Sequence, residues 1–146
     1  MKKAAIIGVG ITKFGRSIKT QVEMFSEAAT DAMNDAGTAP REIEAFYFGN
    51  ALGMLTEKQG HMAPLMVSYL GLPNIPATRF ENACASGATA FRHAYMAVCA
   101  GYYDVVLVGG SERVLTLPTS QSTEYFAYAS DYYYETNLGI SFPGHY

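Results

Sequence analysis

Apolar residues occur in short runs that alternate with stretches of helical spacing. Runs at 4–9, 45–49, 76–81 and 105–108 predict four strands. The first run is apolar almost throughout rather than at alternate positions, which suits a strand buried on both faces. Between the runs, apolar residues recur at helical intervals over 20–36, 62–70 and 86–100. This alternation predicts an α/β fold in which a mainly parallel sheet carries helices on its faces.

The predicted helices have recognisable ends. Thr20 and Glu23 have the spacing of a capping box at the start of the first helix, and Gly37 follows its last apolar position. Pro64 falls in the first turn of the second helix. Gly101 ends the third helix, so all three segments are bounded by local signals.

The helix at 86–100 is apolar on nearly every side. Its apolar face comprises Ala88, Phe91, Tyr95, Val98 and Cys99. Alanines cover most of the rest, and such a helix is buried on more than one side. One small sheet covers only one side, so we expect a further protein layer or a second subunit to cover the other. Charged residues make up 16% of the chain against about 25% in ordinary soluble domains, which agrees with a covered apolar surface.

The pattern loosens from Ser111 onward. This tail contains six of the eleven tyrosines and no clear strand. We expect it to be an excursion from the sheet, packed as a loop or at a subunit interface.

Charge and composition exclude several functional classes. Ten Lys and Arg against thirteen Asp and Glu give a net charge of −3, so no basic surface favours nucleic acid or an anionic membrane. No run reaches the roughly 18 apolar residues of a membrane span. The basic start followed by a short β-like run does not resemble a secretion signal. Cys84 and Cys99 would lie about 20 Å apart along a helix, too far for a disulfide, and two free thiols indicate a cytoplasmic protein.

Cys84 is the candidate nucleophile. It stands in the segment Glu81 to Ala90, where the third predicted strand meets the helix at 86–100. Unpaired amides at a helix N-terminus favour a thiolate, and the small residues around Cys84 leave room for a carbonyl substrate. An ordinary cysteine is only a few per cent thiolate at pH 7, so a histidine would normally complete its activation. The alternative is a small buried hydrophobic residue, which is the reading preferred for Cys99.

No histidine of the chain is an obvious partner for Cys84. His93 lies about 13 Å along the helix, His61 begins another helix and His145 is next to the last residue. We therefore expect the activating base to lie outside these 146 residues. Glu112, after the fourth predicted strand, is a candidate buried hydrogen-bond anchor near the site. Gly8-Val9-Gly10 is not a dinucleotide fingerprint, because Lys13 occupies the third glycine position. No metal ligand set and no cofactor site are predicted.

Taken together, these motifs resemble the thiolase family. Asn82-Ala83-Cys84-Ala85-Ser86-Gly87 is similar to the nucleophile segment of that family. Gly49-Asn50 resembles its Gly-Asn pair, and Gly109-Gly110-Ser111-Glu112 its Gly-Gly-x-Glu strand end. The segment from Ile6 to Gly15 looks most like the archaeal and sterol-carrier-type thiolases. The match spans essentially the whole chain.

The resemblance implies a fold, a reaction and partners. The fold would be the first half of a five-layered αβαβα arrangement, with residues 1–110 forming a thiolase-like βαβ half and 111–146 beginning the loop domain. Cys84 would be acylated by an acyl-CoA substrate, with coenzyme A as part of the substrate and not a resident cofactor. A homo-oligomer, dimer or tetramer, is implied, together with a complex containing a pathway enzyme and a small zinc-containing protein. The family's catalytic histidines lie in a later half, so the chain is expected to be inactive alone.

Two other functions stay open on the same scaffold. A ketoacyl-synthase or aldolase-like enzyme would use a different carbanion source. A non-catalytic thiolase-like subunit would bind acyl-CoA or a partner enzyme and keep Cys84 without using it.

Overall fold

The computed structural model describes residues 3–139 and Gly144, and these form a three-stranded sheet between helices. The strands are β1 (Ala45–Gly49), β2 (Ala77–Phe80) and β3 (Val106–Gly110). The helices are α1 (Gln21–Ala36), α2 (Gly53–Thr56), α3 (Met62–Tyr69), α4 (Ser86–Ala100) and α5 (Thr119–Ala127). Short 3-10 helices occupy Pro40–Glu42, Ala83–Ala85 and Thr136–Leu138.

The sheet is parallel, with β1 in the centre and the order β2-β1-β3. In register, Phe48 of β1 lies opposite Arg79 of β2 and Gly109 of β3. The chain leaves β1 in one direction to form β2 and then crosses back to form β3. Because crossovers between parallel strands are right-handed, this reversal puts α3 and α4 on opposite faces. The predicted α/β class with helices on both faces is therefore confirmed.

The face that carries α1 and α3 holds the core. Phe46 and Phe48 are fully buried there, and their rings lie 5.4 and 5.1 Å from the ring of Phe25 on α1. Met62 and Met66 of α3 are also fully buried. The alternate β1 positions face α4, as the two-residue period of a strand requires.

Helix α1 begins with the predicted capping box. The hydroxyl of Thr20 accepts a hydrogen bond from the Glu23 N–H, and the Glu23 carboxylate accepts one from the Thr20 N–H at 2.7 Å. These bonds from Thr20 lower the pKa of Glu23. Gly37 ends the helix, so both predicted boundaries are confirmed.

Replacing Thr20 by alanine should lower the free energy of unfolding by about 1 kcal/mol, because the cap bond to the Glu23 N–H is lost. The pKa of Glu23 is depressed in the folded chain, so its contribution is present above its unfolded value and is lost as pH falls through the folded value. Alanine keeps the backbone N–H that donates to the Glu23 carboxylate and loses only the hydroxyl, which also donates to it at 2.8 Å. The difference between wild type and Thr20→Ala should therefore shrink in acid by the part that this hydroxyl bond contributes. Urea unfolding at neutral pH and well below pH 4.5 measures both quantities. An equal difference at the two pH values would contradict this role of the carboxylate.

The predicted strand at 4–9 is wrong. These residues pair with no strand among those described, and Ile6 and Val9 are each 68% exposed. The segment instead lies along α1, where the Val9 N–H donates to the Asp35 carboxylate at 2.9 Å. The approach is so close that a Cβ on Gly10 would stand 2.0 Å from the Ala28 carbonyl oxygen. A groove of about 870 Å³ separates the segment from β3, so the nearest sheet edge is out of hydrogen-bonding reach.

Helix α4 has the predicted bounds and packs one side against the sheet. Its residues against the sheet are small, with Ala90 and Ala94 almost fully buried. Phe91 and Tyr95, which were expected in the covered apolar face, are about half exposed. Alanines let the helix approach the strands closely, which leaves the larger side chains on the open side. Within the described residues the sheet covers one side of α4, and the side for which a further layer or a second subunit was expected is open, so that expectation stays a prediction.

The tail after β3 contains helix α5, which the sequence pattern did not predict. As expected, residues 111–139 add no strand to the sheet. Neighbouring tyrosine rings pack together, with centroids of Tyr125 and Tyr128 6.3 Å apart. The predicted division at residue 110 stays a prediction.

Candidate active site

Cys84 lies at the carboxyl edge of the sheet, in the 3-10 turn that joins β2 to α4. The carboxyl ends of parallel strands are where α/β proteins bind their ligands. Cys84 is exposed, whereas Cys99 is buried within α4, and both thiols are free as predicted. The thiol that the sequence singled out is therefore the one that a substrate can reach.

A compact hydrogen-bonded turn presents Cys84. The Ser86 hydroxyl accepts from the Asn82 N–H at 2.8 Å and donates to the Ala83 carbonyl at 2.7 Å. The Ala83 N–H donates to the Glu81 carboxylate at 2.6 Å. Ala83 has a φ of 43°, a left-handed conformation that is uncommon for a residue with a Cβ. The residue directly before Cys84 is thus held in an unfavourable backbone conformation.

The start of α4 touches the end of β1 backbone to backbone. A Cβ on Gly49 would lie 2.6 Å from the Gly87 Cα and 2.7 Å from the Gly87 nitrogen. Only glycine at position 49 permits this approach. The contact fixes the position of the helix N-terminus relative to the sheet and, with it, the position of Cys84, which lies two residues before the helix begins.

Glu112 anchors the loop that follows β1. Its carboxylate accepts from the Asn50 side-chain amide at 3.0 Å, the Ala51 N–H at 2.9 Å and the Leu52 N–H at 3.2 Å. The predicted hydrogen-bond role of Glu112 is confirmed, but the residue is exposed rather than buried. Asn50 is buried, and its side chain also donates to the Ser111 carbonyl and accepts from the Gly53 N–H. Hydrogen bonds therefore join the segment after β1 to the segment after β3, next to Gly49.

The chain matches a known protein family over nearly its whole length. The sequence-family model described as the thiolase N-terminal domain matches residues 4–139 of this chain. This chain belongs to the thiolase family.

Individual relatives agree with the family match. Acetyl-CoA acetyltransferase of Methanothermobacter thermautotrophicus is 40% identical over 147 residues, which cover 100% of this chain and 38% of the relative. The enzyme of the same name from Methanocaldococcus jannaschii is 40% identical over 150 residues, covering 100% of this chain and 37% of the relative. This thiolase chain thus spans well under half the length of these curated relatives.

A solved structure supports the fold. Acetyl-CoA acetyltransferase from Syntrophomonas wolfei matches with a TM-score of 0.61 over 67% of this chain and 26% of that one. The sequence identity is 22%, so the likeness shows a shared thiolase fold alone.

Several residues that support the site in this thiolase chain escaped the sequence analysis. Arg79 donates to the Asn50 and Ala51 carbonyls, both at 3.1 Å. Gln21, fully buried at the start of α1, donates to the Ser111 carbonyl. Arg113 pairs with Glu57 at 2.5 Å. The sequence shows an arginine in a short strand and a glutamine in the first turn of an apolar helix. It does not show which groups these two side chains contact.

The two described histidines lie at different helices, and the side chain of His93 has contacts with β2 and within α4. The ring of His93 stacks on Phe80 at 4.5 Å, and its Nδ1 lies 2.8 Å from the Thr89 carbonyl oxygen. His61 is exposed at the start of α3, on the face of the sheet opposite α4. His145 lies outside the described residues. Neither placement makes His61 or His93 the base for Cys84.

The described part of the chain contains neither a candidate metal-binding cluster nor a membrane-spanning helix. Within residues 3–139, no group of three or more His, Cys, Asp or Glu side chains is arranged to hold a metal ion. No helix among those described is both long and apolar enough to cross a bilayer.

Proposed function

We propose that this chain carries the acylated cysteine of an acyl-CoA C-acyltransferase of the thiolase type. The exposure of Cys84 at the start of α4, in a chain of this family, is the observation that carries the proposal. The relatives named above are acetyl-CoA acetyltransferases, which favours a short acyl group. The predicted coenzyme A thioester is the substrate.

The chemistry follows from the thiol and its surroundings. The Cys84 sulfur attacks the thioester carbonyl carbon, its proton passes to a base, and the carbon–sulfur bond to coenzyme A breaks so that coenzyme A leaves as a thiolate. Amides at a helix N-terminus stabilise negative charge that forms beside them. Transfer of the acyl group to the carbanion of a second acetyl-CoA then gives a 3-oxoacyl-CoA, and the reverse sequence cleaves one.

The base is proposed to lie outside the 146 residues, because His93 contacts Phe80 and Thr89 and His61 is exposed at the start of α3. The chain alone should then acylate slowly and stop. With acetyl-CoA we expect at most one equivalent of coenzyme A released and no steady formation of 3-oxoacyl-CoA. Steady turnover by the isolated chain would overturn this part of the proposal.

Alkylation tests the nucleophile directly. Iodoacetamide at pH 7 should modify Cys84 at least about tenfold faster than Cys99, because one thiol is exposed at a helix start and the other is buried. Mass spectrometry of proteolytic peptides separates the two adducts, and Cys84→Ser and Cys99→Ser each remove one of them. To separate exposure from activation, the Cys84 rate is compared with its own rate in concentrated urea. A native rate no higher than the unfolded rate would contradict an activated nucleophile.

A non-catalytic subunit is the second candidate. The half-exposed Phe91 and Tyr95 on α4 favour it, since they offer an apolar surface to another protein. Slow, unactivated labelling of Cys84 would support this function. The homo-oligomer, the complex with a pathway enzyme and a small zinc-containing protein, and the cytoplasmic location stay predictions.

A further inference from the structure

We propose that Ser86 is a positioning residue for Cys84, and that its hydroxyl maintains the turn that presents the thiol. The inference rests on the proposed function, in which Cys84 is the nucleophile. The role assigned to Ser86 acts through the backbone of Asn82 and Ala83 and requires no contact with substrate.

The hydroxyl of Ser86 is well placed to lock this turn. Ser86 is 4% exposed, and its oxygen joins two backbone groups at 2.8 and 2.7 Å, within the normal range for strong hydrogen bonds. The N–H of Asn82 and the carbonyl of Ala83 are thereby tied to one atom. Cys84 lies between these two residues and Ser86, so the two hydrogen bonds of the hydroxyl span the nucleophile.

The direction of these bonds separates them from helix capping. A capping serine accepts from an amide two or three residues later, inside the helix. Ser86 instead bonds backwards, to Asn82 and Ala83, which precede α4. The hydroxyl therefore stabilises the turn and is not needed for the first turn of the helix.

The two hydrogen bonds of Ser86 act on a segment in which the backbone of Ala83 is strained. A φ of 43° is unfavourable for a residue with a Cβ and persists only where the surroundings enforce it. Ser86 fixes the Ala83 carbonyl, and the Glu81 carboxylate fixes the Ala83 N–H at 2.6 Å. The Ser86 backbone N–H also donates to the Ala83 carbonyl, so removing the hydroxyl weakens the hold on Ala83 without abolishing it. A larger fraction of the chains then has Ala83 in a regular conformation, which reorients Cys84 because the two residues are adjacent.

The test is a pair of substitutions read out as alkylation of Cys84 in the folded chain, divided by its rate in urea. Ser86→Ala removes both hydrogen bonds of the hydroxyl and should lower this ratio at least about five- to tenfold, the population change expected from the loss of even one ordinary hydrogen bond. Ala83→Gly in the Ser86→Ala background should restore it to within about twofold, because glycine adopts positive φ without penalty. Ser26→Ala is the matched control, since the buried Ser26 hydroxyl has no hydrogen-bond partner among the described residues, and it should leave the ratio unchanged.

A second pair of variants probes the turn from its exposed side. Glu81→Gln and Glu81→Ala both remove the charge, but only glutamine keeps an oxygen for the Ala83 N–H. The glutamine variant should therefore retain the higher Cys84 ratio. This comparison does not depend on the buried site, because Glu81 is exposed.

The outcomes are distinguishable. An unchanged ratio in a folded Ser86→Ala chain would overturn the positioning role, and so would equal ratios for the two Glu81 variants. A loss that Ala83→Gly does not rescue, or a Ser86→Ala chain that does not fold, would show that the hydroxyl serves the fold and not the turn. Failure of the proposed function looks different, because wild-type Cys84 would then react no faster in the native chain than in urea.

Discussion

Replacing Gly49 by alanine should destabilise the chain by about 3 kcal/mol or more, at the upper end of the cost of overpacking a core. The added Cβ would stand 2.6 Å from the Gly87 Cα and 2.7 Å from the Ser86 carbonyl carbon. These are backbone atoms, so no side chain can rotate away to relieve the clash. Either β1 bends or the start of α4 moves outward. Urea unfolding followed by circular dichroism measures the loss.

The same substitution should also slow alkylation of Cys84, since the displaced helix start carries the thiol with it. Gly60→Ala is the matched control, because the nearest atom to its added Cβ is the Met54 terminal methyl at 3.9 Å. This control should change the free energy of unfolding by less than about 0.5 kcal/mol. Equal stability of the two variants would show that β1 and α4 do not touch at Gly49.

Local signals sufficed where an element is defined by its own residues. The ends of α1 follow from Thr20 and Gly37, and α4 follows from a long apolar segment that ends at Gly101. Strand β1 was predicted at its observed residues because it lies at the centre of the sheet, where apolar character is continuous. For both helices the deciding interactions lie within a few residues along the chain, and for β1 the apolar run by itself marks the strand.

Prediction failed where the structure depends on a distant partner. Residues 4–9 have the composition of a strand, but a strand exists only when another backbone pairs with it, and the edge of β3 lies across a groove. Helix α4 is apolar on nearly every side, so its sequence could not show which side packs against the sheet. Close packing selected the alanines Ala90 and Ala94.

The candidate site shows the same division. Cys84 at the start of a helix could be predicted, because strand, turn and helix are consecutive in the sequence. The bonds from Ser86 back to Asn82 and Ala83 could not be predicted, since the sequence does not show how the backbone turns between β2 and α4. Gln21, Arg79 and Glu112 meet around Asn50 only after the sheet has formed. The sequence shows that these side chains are polar, but it does not show that they come together around Asn50.

Glu112→Gln should lower the free energy of unfolding by about 2 kcal/mol, although the two side chains have the same shape. Both carboxylate oxygens accept hydrogen bonds, one from the Ala51 N–H at 2.9 Å and the other from the Asn50 amide at 3.0 Å. A glutamine must turn its NH₂ group toward one of these donors, so that one donor loses its partner and faces another N–H. Losing a charge-assisted bond and leaving a donor unsatisfied each cost about 1–3 kcal/mol when buried, and exposure of Glu112 reduces the sum.

The matched control is Glu124→Gln, because the Glu124 carboxylate accepts from the Tyr128 hydroxyl at 3.1 Å on an exposed helix, and a glutamine oxygen can accept the same bond. It should change stability by less than about 0.5 kcal/mol. Hydrogen exchange adds a local readout, since the Ala51 and Leu52 amides should lose protection in Glu112→Gln more than the amides of α1 do. Uniform loss of protection across the chain would instead mean that Glu112 supports the whole fold and does not specifically hold the loop beside Gly49.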